Sequence, residues 1–149
     1  MATTVGKESD INGLVKDLLK LEHDAVAAYE TAIERLDDAA AKTELESFRQ
    51  DHLSHVAELE KMAGMLGLEP VTSGDAKEML TTGKIKMANL MGDKAVLKAM
   101  SSNETDTVAA YDRASTHDDA VPESKAFFAK ALADERRHKA WMDRTADAM

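Results

Sequence analysis

The sequence contains no cysteine. That excludes disulfides, thiolate chemistry and zinc or iron clusters held by Cys. Aromatic residues make up only 4% of the chain, while 32% is charged, and Ala, Leu, Met, Glu and Lys are plentiful. That is the composition of a helical bundle. Basic residues are also short: 19 Lys and Arg stand against 28 Asp and Glu, a net charge of −9. Nucleic acid and anionic membranes both need a basic face. The first ten residues hold a single lysine, so no basic arm supplies one. No apolar run reaches membrane-spanning length, and the N-terminal stretch lacks the apolar segment of a signal peptide. The expectation is one cytoplasmic domain over residues 1–149, large enough to bury a core, with neither nucleic acid nor membrane as partner.

Four amphipathic segments have helical periodicity. The first starts at Asp10 as N-cap and carries Ile11, Leu14, Val15, Leu18, Ala25, Val26, Tyr29, Ile33 and Leu36. It ends around Asp37 and Asp38. The second carries Leu45, Phe48, Leu59, Met62 and Leu66 and stops at Gly67. The third begins with Asp93 as N-cap and carries Val96, Leu97, Met100, Val108, Tyr111 and Ala114. The fourth begins near Pro122, which suits a first helical turn, and carries Phe127, Phe128, Ala131, Leu132, Trp141 and Met142. Short connections near residues 38 and 120 predict two antiparallel hairpins. The middle connection is long, with a loop over Leu68 to Gly74. A short fifth helix is expected from Asp75 to about Leu90. The expected fold is all-α: an antiparallel four-helix bundle of two duplicated hairpins with a long crossover.

The duplication is legible in the residues themselves. Glu22 to Tyr29 (EHDAVAAY) recurs as Glu104 to Tyr111 (ETDTVAAY), a shift of 82. Asp51 to His55 (DHLSH) recurs as Asp134 to His138 (DERRH), a shift of 83. A repeat this long points to an internal duplication.

Core stripes read in steps of three and four contain polar residues where leucine is expected. Helix one gives 15, 18, 22, 25, 29, with Glu22 inside. Helix two gives 45, 48, 52, 55, 59, with His52 and His55 inside. Helix three includes Glu104, and helix four includes Glu135 and His138. The six share a level, each set lying about 24 Å from its turn at roughly 1.5 Å per residue. A lone core histidine is more often a hydrogen-bonded structural residue than a ligand. Six coincidences at one level are another matter. Three unpaired buried carboxylates would cost several kcal/mol each, against a total domain stability of roughly 5–15 kcal/mol. Two divalent cations would remove that cost, leaving +1 for a bound hydroxide. Carboxylates and imidazoles converging in an apolar bundle therefore point to metal.

The arrangement resembles the ferritin-like di-iron carboxylate superfamily, whose pattern is one Glu from each of two helices and Glu-x-x-His from each of the other two. The resemblance covers nearly the whole chain. Glu22 and Glu104 are similar to the single glutamates, Glu135 and His138 to one Glu-x-x-His, and His52 and His55 stand where the other belongs. The Asp-His-x-x-His and Asp-Glu-Arg-Arg-His runs look most like small bacterial ferritin-like proteins related to rubrerythrin and bacterioferritin. The resemblance implies two divalent ions, iron first, with manganese or zinc as alternatives. It implies ferroxidase or peroxide-handling chemistry, with an external electron donor because no rubredoxin-type cysteines are present. A homodimer or larger homo-oligomer is the expected assembly.

The departure lies at His52, which replaces a bridging glutamate. Three outcomes stay open: an asymmetric two-metal site, a mononuclear site around Glu104, Glu135 and His138, or weak metallation. The half with Glu22, His52 and His55 is expected to offer one carboxylate and to bind more weakly. Tyr29, Tyr111, Asp51 and Asp134 are candidates to hydrogen-bond the ligands from outside, the aspartates by orienting the histidines. His23 reads as a flank residue, His117 as a structural group at a helix end, and Asp24 and Asp106 as solvated. The nine methionines read as gap-filling core. A non-catalytic, degenerate bundle working through oligomerisation or a partner is the alternative function; iron storage, which needs a closed shell, is a third.

Overall fold

The structure, a computed structural model, describes residues 3–71 and 90–149. The fifth helix expected over 75–90 lies, except for Leu90, outside the described residues. Four helices account for the rest: α1 (Ile11–Arg35), α2 (Ala39–Met65), α3 (Asp93–Ser115) and α4 (Pro122–Asp147). Among the described residues there is no strand, and no helix is long and apolar enough to cross a membrane. The helices pack as a bundle. α1 lies against α2 and α3, and α4 lies against α3, while the α2 and α4 backbones approach closely at few points.

The sequence sets the helix ends locally. Asp10 accepts from the Gly13 N–H at 2.8 Å, and Asp38 accepts from the Ala41 N–H at 2.8 Å, each satisfying an orphan donor of the first turn. Gly67, with φ 71°, lets the chain turn off α2, and the Leu68 N–H returns to the Ala63 carbonyl at 2.9 Å. Pro122 opens α4. Asp93 differs from its expected role. The N-cap of α3 is Gly92, φ 86°, and Asp93 is the first helical residue. Its carboxylate instead accepts from the backbone N–H groups of Asp37 (2.8 Å) and Asp38 (2.9 Å). It thus ties the start of α3 to the α1–α2 connection, a contact that local periodicity cannot reveal.

Two apolar clusters fill the interior. One gathers Leu14, Leu18, Leu59, Tyr111, Phe128 and Ala131, the other Tyr29, Leu36, Leu45, Phe48, Leu97 and Met142. Between them lies a polar layer. Along α1 the first cluster precedes Glu22 and the second follows it; α4 keeps that order around Glu135 and His138. In α2 and α3 the order is reversed.

The segment before α1 is strapped onto α3. Arg113 donates to the carbonyls of Thr3 (2.9 Å) and Val5 (3.0 Å), and Asp106 accepts from the Thr3 N–H at 3.2 Å. His117 donates through Nε2 to the Glu8 carbonyl at 2.6 Å, the structural role expected of it. Gly6 sits in this strap at φ 103°, buried, and any Cβ there would overlap the side chain of Arg113. Gly6→Ala is expected to destabilise the protein by about 1–3 kcal/mol, the usual cost of forcing a side chain into such backbone. Gly64, exposed inside α2 with open space around it, is the control: Gly64→Ala should stabilise by roughly 0.5–1 kcal/mol. Urea unfolding of the two variants checks both signs.

Candidate metal centre

Glu22, His52, His55, Glu104, Glu135 and His138 are all buried, none more than 1% exposed. They meet in the layer between the apolar clusters. Two overlapping groups of donor atoms lie within 4.8 Å of one another: Glu22, His52, His55 and Glu135, and His52, Glu104, Glu135 and His138. Such groups could hold a metal ion. His52 and Glu135 belong to both, so each half offers two carboxylates and two imidazoles. The expectation that the Glu22 half offers one carboxylate is thereby corrected. The reason is geometric: the Glu135 carboxylate lies between the halves, with Oε1 3.3 Å from His55 Nδ1 and Oε2 3.5 Å from His138 Nδ1.

Four of the six inner groups, Glu22, Glu104, His55 and His138, each have an outer holder from the other repeat. Tyr29 donates to Glu104 Oε1 at 2.6 Å, and Tyr111 donates to Glu22 Oε1 at 2.8 Å. Asp134 pairs with His55 Nε2 at 2.9 Å, and Asp51 pairs with His138 Nε2 at 2.8 Å. An imidazole donating Nε2–H to a carboxylate keeps its Nδ1 lone pair for the interior. Phe48 stacks on His138, ring centroids 4.3 Å apart, and fixes the ring plane. His23 stands apart and pairs with the Val71 carbonyl at 3.2 Å. Asp24 and Asp106 are half-buried rather than fully solvated.

His52 is placed differently from its repeat counterpart Glu135. Its Nδ1 lies 2.8 Å from Glu22 Oε2 and its Nε2 3.1 Å from Glu104 Oε1, so one ring spans both single glutamates. Sequence reasoning passed over Thr107. Its hydroxyl donates to Glu104 Oε2 at 2.7 Å, with Glu135 Oε2 at 3.1 Å. The signal was present: Thr107 follows Glu104 by three residues, one turn on the same face, where the first repeat has Ala25. A groove of about 480 Å³ between α2 and α4 is lined by Ser54, His55, Glu58, Phe127 and Lys130.

Among the described residues, three buried polar side-chain atoms lack a hydrogen-bond partner: His55 Nδ1, Glu135 Oε1 and His138 Nδ1. All three belong to this layer. Buried polar atoms are nearly always paired, so an orphan needs an explanation, an ion among them. Three orphans grouped around one carboxylate share one explanation.

Residues 11–117, from the start of α1 to just past α3, match the family described as Domain of unknown function (DUF2383). The matched stretch contains Glu22, His52, His55 and Glu104; α4, with Glu135 and His138, lies beyond it. No curated protein and no solved structure matches the chain.

The layer carries strong mutual electrostatics. Burial would raise Glu22, but the charge and hydrogen bond of His52 and the nearby His55 charge bring it down to about 2. Burial and the Glu104 charge push Glu135 up to about 7. Burial would lower His55 and His138, yet the facing carboxylates hold them at about 10 and about 9. Without metal, protons on these histidines stand in for cations. A raised folded-state value means stability that is fully present below the ordinary 6.5 and is lost as pH climbs through 9 to 10. Glu135 acts in the same direction, its contribution lost as pH rises from 4.5 through about 7. Glu22 acts at the other end, its contribution lost as pH falls from 4.5 through about 2. Chelator-treated protein should therefore melt at a lower temperature at pH 9.5 than at pH 6, whereas metal-loaded protein should not. Calorimetry at the two pH values reads this, and an alkaline gain in the chelated protein would contradict it.

Proposed function

The chain belongs to the DUF2383 family, and on that premise we propose that it is a ferritin-like di-iron carboxylate protein acting on oxygen or peroxide. In this reading it is related to rubrerythrin and bacterioferritin, and the bundle is antiparallel, built from two duplicated hairpins, α1–α2 and α3–α4. The reversed cluster order in α2 and α3 supports that arrangement, as does the three-residue link Leu36–Asp38. Adjacent helices then run oppositely and bring both repeats' ligands to one level.

The observation that carries the metal reading is the orphaned set His55 Nδ1, Glu135 Oε1 and His138 Nδ1. His55 Nδ1 lies 3.4 Å from Glu22 Oε1 and 3.3 Å from Glu135 Oε1 without hydrogen-bonding either. Those spacings suit neighbouring ligands on one ion whose bonds are about 2.0–2.2 Å long. The residues fit the group. Glu22 with His55 would hold one ion, Glu104 with His138 the other, Glu135 would lie between them, and His52 would serve whichever half takes it. The mixed carboxylate and imidazole set suits iron first, with manganese or zinc as alternatives. A ferrous pair supplies electrons and open positions for oxygen or peroxide.

The chain's own groups hold that centre ready. Tyr29 and Tyr111 stay protonated, since burial and the facing glutamates raise them well above the usual phenol range, and they steady Glu104 and Glu22 by donating to them. Asp51 and Asp134 fix the tautomers of His138 and His55. The α2–α4 groove has His55 in its lining. The sequence has no cysteine to carry electrons, so the donor is external.

A specific observation favours a second reading. His52 already satisfies Glu22 and Glu104 with one imidazole, as a degenerate, non-catalytic bundle would require, with partner binding or oligomerisation as its role. Metal analysis of protein purified without chelator separates the two. The first reading expects up to two ions per chain, the second bound more weakly because His52 cannot serve both halves. His52→Glu should raise the weaker affinity and make the pair more alike. Glu135→Leu should lower metal content, and because it removes one partner from a buried charge set it should also destabilise the metal-free protein by about 3–5 kcal/mol. Protein with no iron, manganese or zinc, and no affinity for them, sinks the first reading and leaves the second.

A further inference from the structure

Two aspartate–histidine pairs cross the seam between α2 and α4, His55 with Asp134 and His138 with Asp51. A third residue joins them. Arg137 Nη2 lies 2.7 Å from Asp51 Oδ2 and 3.4 Å from Asp134 Oδ1. The Asp51 oxygen it reaches is the one that accepts from His138. Asp134 keeps Oδ2 for His55 and turns Oδ1 to Arg137. We infer that Arg137 is a positioning residue that couples the two aspartate–histidine pairs, and through them the two halves of the centre.

Several observations carry this. The α2 and α4 backbones approach closely at few points, so side chains bridge the seam, and these polar links are among them. Two like-charged carboxylates flank the seam, and the Arg137 guanidinium contacts both. Asp134 has a second cation in Lys130, 3.4 Å away. Among the described residues, the Lys or Arg that reaches Asp51 is Arg137. The repeat supplies no counterpart, since the position equivalent to Arg137 in the first half is Ser54. One guanidinium therefore serves both pairs. Both contacts are made by Nη2, whose two N–H bonds are fixed in the guanidinium plane, a fixed geometry that a freely rotating lysine ammonium lacks. The guanidinium carbon also lies 5.7 Å from the centre of the Phe48 ring, the ring that stacks on His138. About half of the Arg137 side chain is accessible, so its charge alone contributes little. Its effect is orientational, and it touches no candidate ligand directly.

The metal consequence rests on the reading above; the coupling can be tested with or without metal. In the full chain, anaerobic titration with ferrous iron or zinc should show both stepwise affinities weakened about tenfold in Arg137→Gln, the lower range for removing an outer partner of a metal-bound imidazole. Asp51→Asn and Asp134→Asn mark which step belongs to His138 and which to His55. Arg137→Lys should restore the His138 step alone. Constants within about twofold of the parent in Arg137→Gln, a change confined to one step, or full restoration by lysine would overturn the coupling. Nitrogen-15 spectra of histidine side chains in chelator-treated protein give the second measurement. Arg137→Gln should move the Nε2–H signals of both His55 and His138 and leave His117 unmoved. A shift of His138 alone would overturn the inference. If the parent takes up no metal, the metal reading fails, and these spectra still decide the coupling.

Discussion

Three carboxylates and three imidazoles share one buried layer, and that layer dictates how the four helices must stand. Apolar packing alone would tolerate a helix sliding by a turn. The polar layer does not, because its carboxylates and imidazoles face one another at one level and a slip would strand buried charge at a cost on the order of several kcal/mol. The apolar clusters above and below clamp the layer from both sides. The outer ties lie at the bundle ends. Asp93 binds the α1–α2 connection at one end, and His117 binds the strap before α1 at the other.

The partnerships inside the layer are exchanged between repeats. Tyr29 of the first serves Glu104 of the second, and Tyr111 serves Glu22; Asp51 serves His138, and Asp134 serves His55. Neither repeat completes its own half. A duplicated unit that bonded within itself would be two small sites joined by chain. Exchange makes one site, because loosening either repeat removes the orienting groups of the other. The same exchange places carboxylate–imidazole bonds across the seam between α2 and α4, beside the Phe48–Trp141 ring contact.

Periodicity made the inner six legible, since a Glu or His on a stripe of Leu and Phe stands out by position alone. It also located Tyr29 and Tyr111, two turns beyond their glutamates on the same face. It could not show who pairs with whom. Asp51 adjoins His52 in the chain yet orients His138 on another helix, and no spacing rule within α2 reports that. Asp93 looked like a cap because caps are local; its real partners are 55 and 56 residues away. Thr107 escaped notice because a threonine on a helix face is common, and only its bond to Glu104 gives it meaning. Glu135 was placed in one half because its own histidine is three residues on. A carboxylate has two oxygens, and Oε1 faces His55 on α2 while Oε2 faces His138 on its own helix.

The repeats differ most in chemistry at one pair of positions, His52 against Glu135, and charge makes that difference consequential. A glutamate adds negative charge at the centre. An imidazole adds none, and when protonated it adds the opposite. Three facing carboxylates hold His52 well above its ordinary range despite its burial, so without metal it carries positive charge between Glu22 and Glu104. Three carboxylates are then balanced by one divalent ion together with that imidazolium. Two divalent ions exceed the three carboxylates by one charge if His52 is neutral and by two if it stays protonated. On the metal reading, a second ion would therefore displace a proton from His52 or bring an anion with it, and a bound hydroxide is the smallest anion that would serve. With glutamate at position 52 the layer would hold four carboxylates, and two divalent ions would be neutral with nothing added. The identity of this one side chain thus ties the number of ions to the protons the layer holds. It also gives a site assembled from near-identical halves a reason to fill in order.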